Sequence, residues 1–356
     1  MKIVADENLA LTDYFFADMG EIRHVAGRHL QHQDVQDAEV LLVRSVTKVN
    51  AALIDQTALK FVGSATIGTD HLDQAALAQQ HIVWSNAAGC NAQAVAEYVV
   101  TAILHLEPCL LEQSKPFCLG IVGLGNVGKR LAYLAKILGW QVLAHDPYVV
   151  DPEVEQVDLN VLLQQADAVS LHVPLTHEQD HATYHLINAE RLALMPSHSI
   201  LINAARGAVV EEAALIEDIA HCGRRVVLDV FEHEPVISAE LLQRLSLATP
   251  HIAGYSLEGK ARGTQMIYDA YCKAFDLPHD KDFTSQLPDA EQYFKDQDIY
   301  SVLKQRINSI YNIAQDDAEL RACLNQGVVD QAAFDRLRKQ YPLRREWAAH
   351  GGPSHD

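Results

Sequence analysis

Short apolar runs alternate with amphipathic stretches along most of this chain. KIVA (2–5), EVLLV (39–43), KFVGSA (60–65) and HIVW (81–84) read as strands, and NAALIDQTAL (50–59) and HLDQAALAQQ (71–80) as helices. A second series runs through CLGIV (118–122), WQVLAH (140–145), AVSLHV (168–173), SILIN (199–203), RVVLDV (225–230) and LATPHI (247–252). Between these lie the helical segments NVGKRLAYLAKILG (126–139) and EEAALIEDIAHC (211–222). In the first of them Val127, Leu131, Leu134, Ala135 and Leu138 share one face, as a helix packed on a sheet requires. Strand–helix alternation predicts an α/β protein with parallel sheets covered by helices on both sides.

Two long helical patterns interrupt this rhythm. NAQAVAEYVVTAILHL (91–106) is apolar at three- and four-residue steps and is placed to bridge two domains. EGKARGTQMIYDAYCKAF (258–275) is placed to return the chain to the first of them. The polar stretch LPHDKDFTSQLPDAEQ (277–292) reads as a linker, and the residues beyond it as an accessory or oligomerisation module.

The 356 residues exceed one ordinary core, and 49% hydrophobic content suits a fully globular chain. A formal charge of −19 disfavours nucleic acid and anionic membranes as partners. It also means that an anionic substrate needs a local basic pocket, for which Arg44, Lys48, Arg206, Lys260, Arg262 and the cluster RLRKQYPLRR (336–345) are candidates. The six cysteines form no CxxC pair and read as buried thiols of a reducing compartment. Asp6 and Glu7 precede any long apolar stretch, so no secretory signal is expected, and no run is long enough to span a bilayer. A cytoplasmic location follows as the expectation.

The candidate chemistry begins at GIVGLGNVG (120–128). Gly123, Gly125 and Gly128 follow an apolar strand and open a helix. That context suits a dinucleotide turn: tight reversal, close approach of backbone to pyrophosphate, and close helix–strand packing. Asp146 closes the next strand, where its carboxylate can accept from an adenosine ribose, and no Arg or Lys follows it in PYVVDP (147–152). That favours NAD over NADP.

Downstream stand Arg206 in NAARGAVV, Glu234 in DVFEHEP and His251 in TPHIAGY. A guanidinium at a strand end can grip a carboxylate with two parallel hydrogen bonds. A histidine can move a hydroxyl proton in either direction, and a carboxylate beside it selects its tautomer. Glu232 competes with Glu234 for that place, and spacing leaves the choice open. Asp229, at the end of RVVLD, can meet a nicotinamide carboxamide. His177, His181 and His185 have a metal-like spacing, but their polar setting after LHVPL reads as loop, and no metal is expected.

The glycine turn, LHVPLT, NAARG, DVFEHEP and TPHIAG, in this order over roughly residues 1–275, closely resemble the D-2-hydroxyacid dehydrogenases. The resemblance implies a flavodoxin-like substrate domain (1–95 and 256–280) and a Rossmann NAD domain (96–255). It implies Arg206 on the substrate carboxylate, His251 as acid/base and Glu234, not Glu232, as its partner. It further implies cofactor contacts at Asn126, Val127, Val173, Ala204, Ala205 and Gly254. Val173 stands where relatives can carry threonine, so a contact there has to come from backbone.

Within the family, ADEN (5–8), VRSVTKVN (43–50), GTDHLD (68–73), AGCNAQAVAEY (88–98) and HIAGYSLEGKARGT (251–264) resemble a branch acting on a phosphorylated hydroxy acid. That similarity implies Ser45, Thr66 and Tyr255 as substrate contacts. KQYPLRREW (339–347) resembles the branch's C-terminal α+β dimerisation domain (286–356), hence a homodimer. Arg44 and Ser45, joined by Arg344 and Arg345 of a second subunit, are expected to receive the phosphate. The alternatives are a phosphoglycerate or glyoxylate enzyme of the same family, and a nucleotide-sensing scaffold.

Overall fold

The computed structural model describes residues 1–112, 117–178 and 180–354. The chain forms two compact units, Met1–Asn91 with Ser256–Asp289, and Ala92–Tyr255 with Ala290–Asp356.

The first unit holds five parallel strands: β1 (Lys2–Asp6), β2 (Glu21–Val25), β3 (Val40–Val43), β4 (Phe61–Ser64) and β5 (Val83–Asn86), in the order β2-β1-β3-β4-β5. That is the flavodoxin-like order. Strands β3 and β4 are buried at every position, which is why VLLV is continuously apolar and FVGS is so up to Ser64. The helix Leu257–Ala274 belongs here. Ile267, Tyr268, Tyr271 and Cys272 on it pack with Phe15, Phe16 and Phe61. The supposed linker is partly fastened to the same unit: the Lys281 ammonium donates to the carbonyls of Tyr14 and Phe15 and to Asp18. The segment predicted as a helix over 50–59 shortens to Ala51–Ile54, started by Asn50, whose side chain accepts from the Leu53 N–H.

The second unit contains β6 (Cys118–Val122), β7 (Gln141–His145), β8 (Glu155–Gln156), β9 (Ala168–Leu171), β10 (Ile200–Asn203), β11 (Arg225–Leu228), a short β12 (Ile237–Ser238) and β13 (Leu247–Ala248). All but β12 form one parallel sheet ordered β13-β11-β10-β9-β6-β7-β8. The order reverses beside β6, so a crevice opens there beyond the strand ends. The helix Asn126–Ile137 covers β6 and β7 with Leu131, Leu134 and Ala135 fully buried.

Residues from 290 onward pack onto this Rossmann sheet. They contribute helices Ile299–Ile310, Ile313–Ala322 and Gln331–Lys339, and β14 (Val328–Val329), which pairs antiparallel with β12. Leu320, Val329 and Phe334 join the apolar core of the unit, and Trp347 is 1% exposed. Among the described residues no helix is long and apolar enough to cross a membrane. All six cysteines are free thiols, but only Cys90, Cys118 and Cys272 are buried, and Cys109 is exposed. Burial pushes the Cys118 thiol up to about 11.

Candidate active site

The three glycines after β6 each have a separate cause. Gly123 has φ +98°, and a Cβ there would lie 2.6 Å from the His172 carbonyl oxygen. At Gly128 a Cβ would lie 2.0 Å from the Gly123 carbonyl oxygen, so the helix can approach the strand only without one. A Cβ at Gly125 would meet nothing within 4 Å. Space is therefore open in front of that backbone, at the N-terminus of the helix Asn126–Ile137, where phosphate oxygens are favoured. Asn126 and Val127 form the helix's first turn, and Val173 flanks the glycine turn, its Cγ1 3.0 Å from a Cβ built at Gly123.

Asp146 is locked in place. Its Oδ2 accepts from the Leu124 N–H (2.8 Å) and its Oδ1 from the N–H groups of Tyr148 (2.9 Å) and Val149 (3.0 Å). The carboxylate thus ties the glycine turn to the end of β7, with lone pairs left for a ribose hydroxyl. An open backbone cradle at a helix N-terminus, closed by a fixed carboxylate, fits a dinucleotide.

Arg206 leaves the end of β10. Ala204 and Ala205 precede it; the Ala205 N–H donates to Asn203 Oδ1, and Asn203 Nδ2 donates to the Arg206 carbonyl. A Cβ at Gly207 would fall 1.9 Å from the Phe231 carbonyl oxygen. Glycine therefore allows the Arg206 loop to lie against the loop that carries Glu234.

Glu234 and His251 meet directly, with Oε1 2.9 Å from Nδ1. Glu234 Oε2 also accepts from the Phe231 N–H at 3.3 Å. Burial pushes the Glu234 carboxyl up, but the His251 charge and hydrogen bond, with smaller help from Phe231 N–H and Arg338, hold it below its ordinary value. Glu232 points elsewhere. Its Oε1 lies 2.6 Å from His185 Nε2, and its Oε2 accepts from the Glu212 N–H at 2.9 Å. The choice that spacing left open is made by the fold in favour of Glu234.

His251 adopts φ +58°, a left-handed conformation that costs an L-residue with a Cβ roughly 1–2 kcal/mol. Asp229 offsets this. The His251 N–H donates to the carbonyls of Asp229 (2.8 Å) and Thr249 (3.0 Å). The buried Asp229 carboxylate accepts from Thr249 Oγ1 (2.6 Å) and from the N–H groups of Ile252 (2.8 Å) and Ala253 (2.9 Å). Desolvation raises the Asp229 pKa. Sequence reading missed this organising work, although an aspartate closing an apolar strand next to the histidine loop is a usable signal.

Arg344 acts on the same loop. Its guanidinium is buried in its own chain and donates to the carbonyls of Ile252, Tyr255, Ala94 and Ala253, over the Tyr311 ring. The expectation that it reaches a phosphate from a second subunit is overturned, because its donors are already committed to buried carbonyls. Gly254 and Tyr255 therefore lie in a segment held from behind. Tyr255 packs edge-on against Tyr341, with ring centres 5.9 Å apart.

In the first unit Arg44 and Ser45 follow β3, and Thr66 follows β4, so all three lie at the carboxyl ends of neighbouring parallel strands. Ser45 is exposed. Arg44 Nε pairs at 3.1 Å with the fully buried Asp6 carboxylate. Thr66 Oγ1 lies 2.9 Å from Ser64 Oγ, which lies 2.9 Å from His71 Nε2.

The metal-like histidines separate. His185 pairs with Glu232 and stacks on Tyr184 at 3.9 Å, His177 packs on Tyr184, and His181 on Tyr148. Among the described residues no group of His, Cys, Asp and Glu is arranged to hold a metal ion.

Comparison with known proteins bears on this geometry. Residues 108–253 match the model of the D-isomer-specific 2-hydroxyacid dehydrogenase NAD-binding domain, and residues 289–351 a domain of unknown function. An erythronate-4-phosphate dehydrogenase of Acinetobacter baumannii is 67% identical over 353 residues, 99% of each chain. One of Psychrobacter cryohalolentis is 46% identical, covering 98% of this chain and 97% of that one. Among solved structures, a NAD-bound 3-phosphoglycerate dehydrogenase of Entamoeba histolytica superposes with a TM-score of 0.65 at 24% identity, over 78% of this chain and 95% of the other. The last likeness is one of fold.

Proposed function

The chain belongs to the erythronate-4-phosphate dehydrogenases, a branch of the D-2-hydroxyacid dehydrogenases, and we propose that it oxidises 4-phospho-D-erythronate at C2 to 2-oxo-3-hydroxy-4-phosphobutanoate. It is an NAD-dependent oxidoreductase acting on a CH–OH group. The observation that carries the reading is the 2.9 Å Glu234–His251 contact in the same unit as the dinucleotide turn.

In this reading Arg206 holds the substrate carboxylate through its planar fork. The free Nε2 of His251 takes the C2 hydroxyl proton. Glu234 keeps Nδ1 protonated and stabilises the imidazolium that forms. NAD, held on Gly123–Gly128 and Asp146, supplies the acceptor for the hydride leaving C2. Asn126, Val127, Val173, Ala204, Ala205, Asp229 and Gly254 are the further cofactor contacts of this reading, and Ser45, Thr66, Tyr255 and Arg44 the substrate contacts.

The reaction serves pyridoxal 5′-phosphate (vitamin B6) biosynthesis, the enzyme is cytoplasmic, and residues 286–356 mediate a homodimer. Sedimentation of the full chain tests the dimer, and a monomer at enzyme concentrations used in assays refutes it. The activity is tested by NADH formation from 4-phosphoerythronate beside 3-phosphoglycerate. Faster turnover of 3-phosphoglycerate would reassign the substrate within the family.

A further inference from the structure

Arg338 lies in the last turn of the helix Gln331–Lys339, in the unit that carries Arg206, Glu234 and His251. Its guanidinium carbon is 5.8 Å from the centre of the Tyr255 ring and 5.7 Å from that of Phe334. Tyr255 is four residues beyond His251, on the loop that Arg344 holds from behind. The charge of Arg338 is close enough to help depress the Glu234 carboxyl, yet the two form no ion pair. The buried Nε of Arg338 has no hydrogen-bond partner, and its guanidinium makes no hydrogen bond or salt bridge among the described residues.

A buried guanidinium donor without an acceptor is uncommon and unfavourable. Arg344, six residues on, has the opposite character: it lies over the Tyr311 ring but also donates to four carbonyls of its own chain. Arg338 is held by ring faces instead, which fix the plane of a guanidinium and leave its edge open. Both arginines come from one basic run, but one is a brace and the other an open fork.

We propose that Arg338 receives the phosphate group of the substrate and so determines specificity for a phosphorylated acid. The inference rests on the phosphorylated-acid reading above and adds the cation that reading needs. A guanidinium edge matches two phosphate oxygens with parallel charge-assisted hydrogen bonds. In a chain of formal charge −19, an unpaired cation beside the reacting groups is where a dianion gains most. Arg206 then takes the carboxylate end and Arg338 the phosphate end, and Tyr255 is the ring that orients the second fork.

The test compares Arg338→Ala and Arg338→Lys with the wild type on 4-phosphoerythronate and on unphosphorylated erythronate, with inorganic phosphate as inhibitor. Arg338→Ala is expected to raise KM for the phosphorylated acid by about 10–100-fold, the loss expected for a charge-assisted contact. Its kcat/KM for erythronate should stay unchanged, and inhibition by phosphate should weaken in proportion. Arg338→Lys should recover part of the loss, since it keeps the charge and not the fork. NADH binding by fluorescence and Tm verify the fold; if Arg338→Ala unfolds, Arg338→Gln carries the same comparison. Equal losses on both acids, or phosphate inhibition equal to wild type, overturn the proposal. Failure of the wild type to oxidise 4-phosphoerythronate would instead sink the substrate assignment, and phosphate inhibition would still judge Arg338.

Discussion

Nδ1 of His251 lies 2.9 Å from Oε1 of Glu234, and this contact assigns a task to each side of the imidazole. A carboxylate at Nδ1 keeps the proton there, so Nε2 is left with the lone pair that the proposed proton transfer needs. His251→Gln is therefore expected to lower kcat by about 10²–10⁴-fold. NADH binding, followed by fluorescence, should be retained. A rate within experimental error of wild type would take His251 out of the proton transfer.

The same pair makes stability depend on pH, with a definite sign. Glu234 is held below its ordinary value of 4.5 in the folded chain. Just below 4.5 the unfolded chain binds more protons than the folded one. The stabilisation is thus complete above that pH and is lost as pH falls through the folded pKa. The carboxylate is 29% exposed, which limits the pair to roughly 1 kcal/mol. Denaturant titrations of wild type and Glu234→Gln should differ by that amount at neutral pH and converge in acid. A gap constant with pH would mean that the ionised Glu234 carboxylate contributes nothing through this contact.

Gly207→Ala puts a methyl group 1.9 Å from the Phe231 carbonyl oxygen. Backbone cannot yield as a side-chain tip can, so the Arg206 loop must move off the loop carrying Glu234. A stability loss of about 1–3 kcal/mol is expected. KM for the hydroxy acid should rise, because the displaced group is the proposed carboxylate clamp. An unaltered KM in a destabilised variant would separate Arg206 from substrate binding.

Glu232→Gln is the matched control for Glu234. Glu232 serves His185 and the Glu212 N–H, with no contact to His251. The variant should lose about 1 kcal/mol of stability or less, in line with a partly exposed pair, while kcat stays where it is. A fall in kcat matching that of Glu234→Gln would contradict the division of labour between the two glutamates.

Arg344→Met keeps bulk but removes the donors from four carbonyls, most of them buried. The Ile252 carbonyl keeps the Tyr255 N–H, but each carbonyl left without a donor costs about 1–3 kcal/mol, so a loss of about 3 kcal/mol is expected by chemical denaturation. A variant as stable as wild type would show that water can take the place of the guanidinium.

The strands of both sheets were legible where they are buried on two faces. VLLV is apolar throughout, and ILIN is apolar up to Asn203, whose buried amide is satisfied by the Arg206 loop. The edge strand Glu21–Val25 was not read. It has one neighbour, and EIRHV is mostly exposed, so its sequence carries little apolar signal. The glycine turn and Asp146 were readable because each follows a buried strand.

Glu232 and Glu234 could not be separated by alternation, since residues 231–234 form a turn, with the Glu234 N–H on the Phe231 carbonyl. Arg344 was misread for another reason. A basic run reads as surface or as an anion site, and the carbonyls that claim Arg344 lie 89 to 250 residues away in sequence.

That separation has a consequence for the order in which the protein is made. The loop bearing His251 is synthesised well before residue 344, and until Arg344 emerges the carbonyls of Ile252, Ala253 and Tyr255 lack its guanidinium. A nascent chain can therefore assemble its nucleotide-binding sheet early without the full set of contacts around His251. A product of premature termination before residue 344 carries His251 on a loop fastened by Asp229 and without the Arg344 brace. The loop is thus completed from both sides only after the C-terminal arginine has been made.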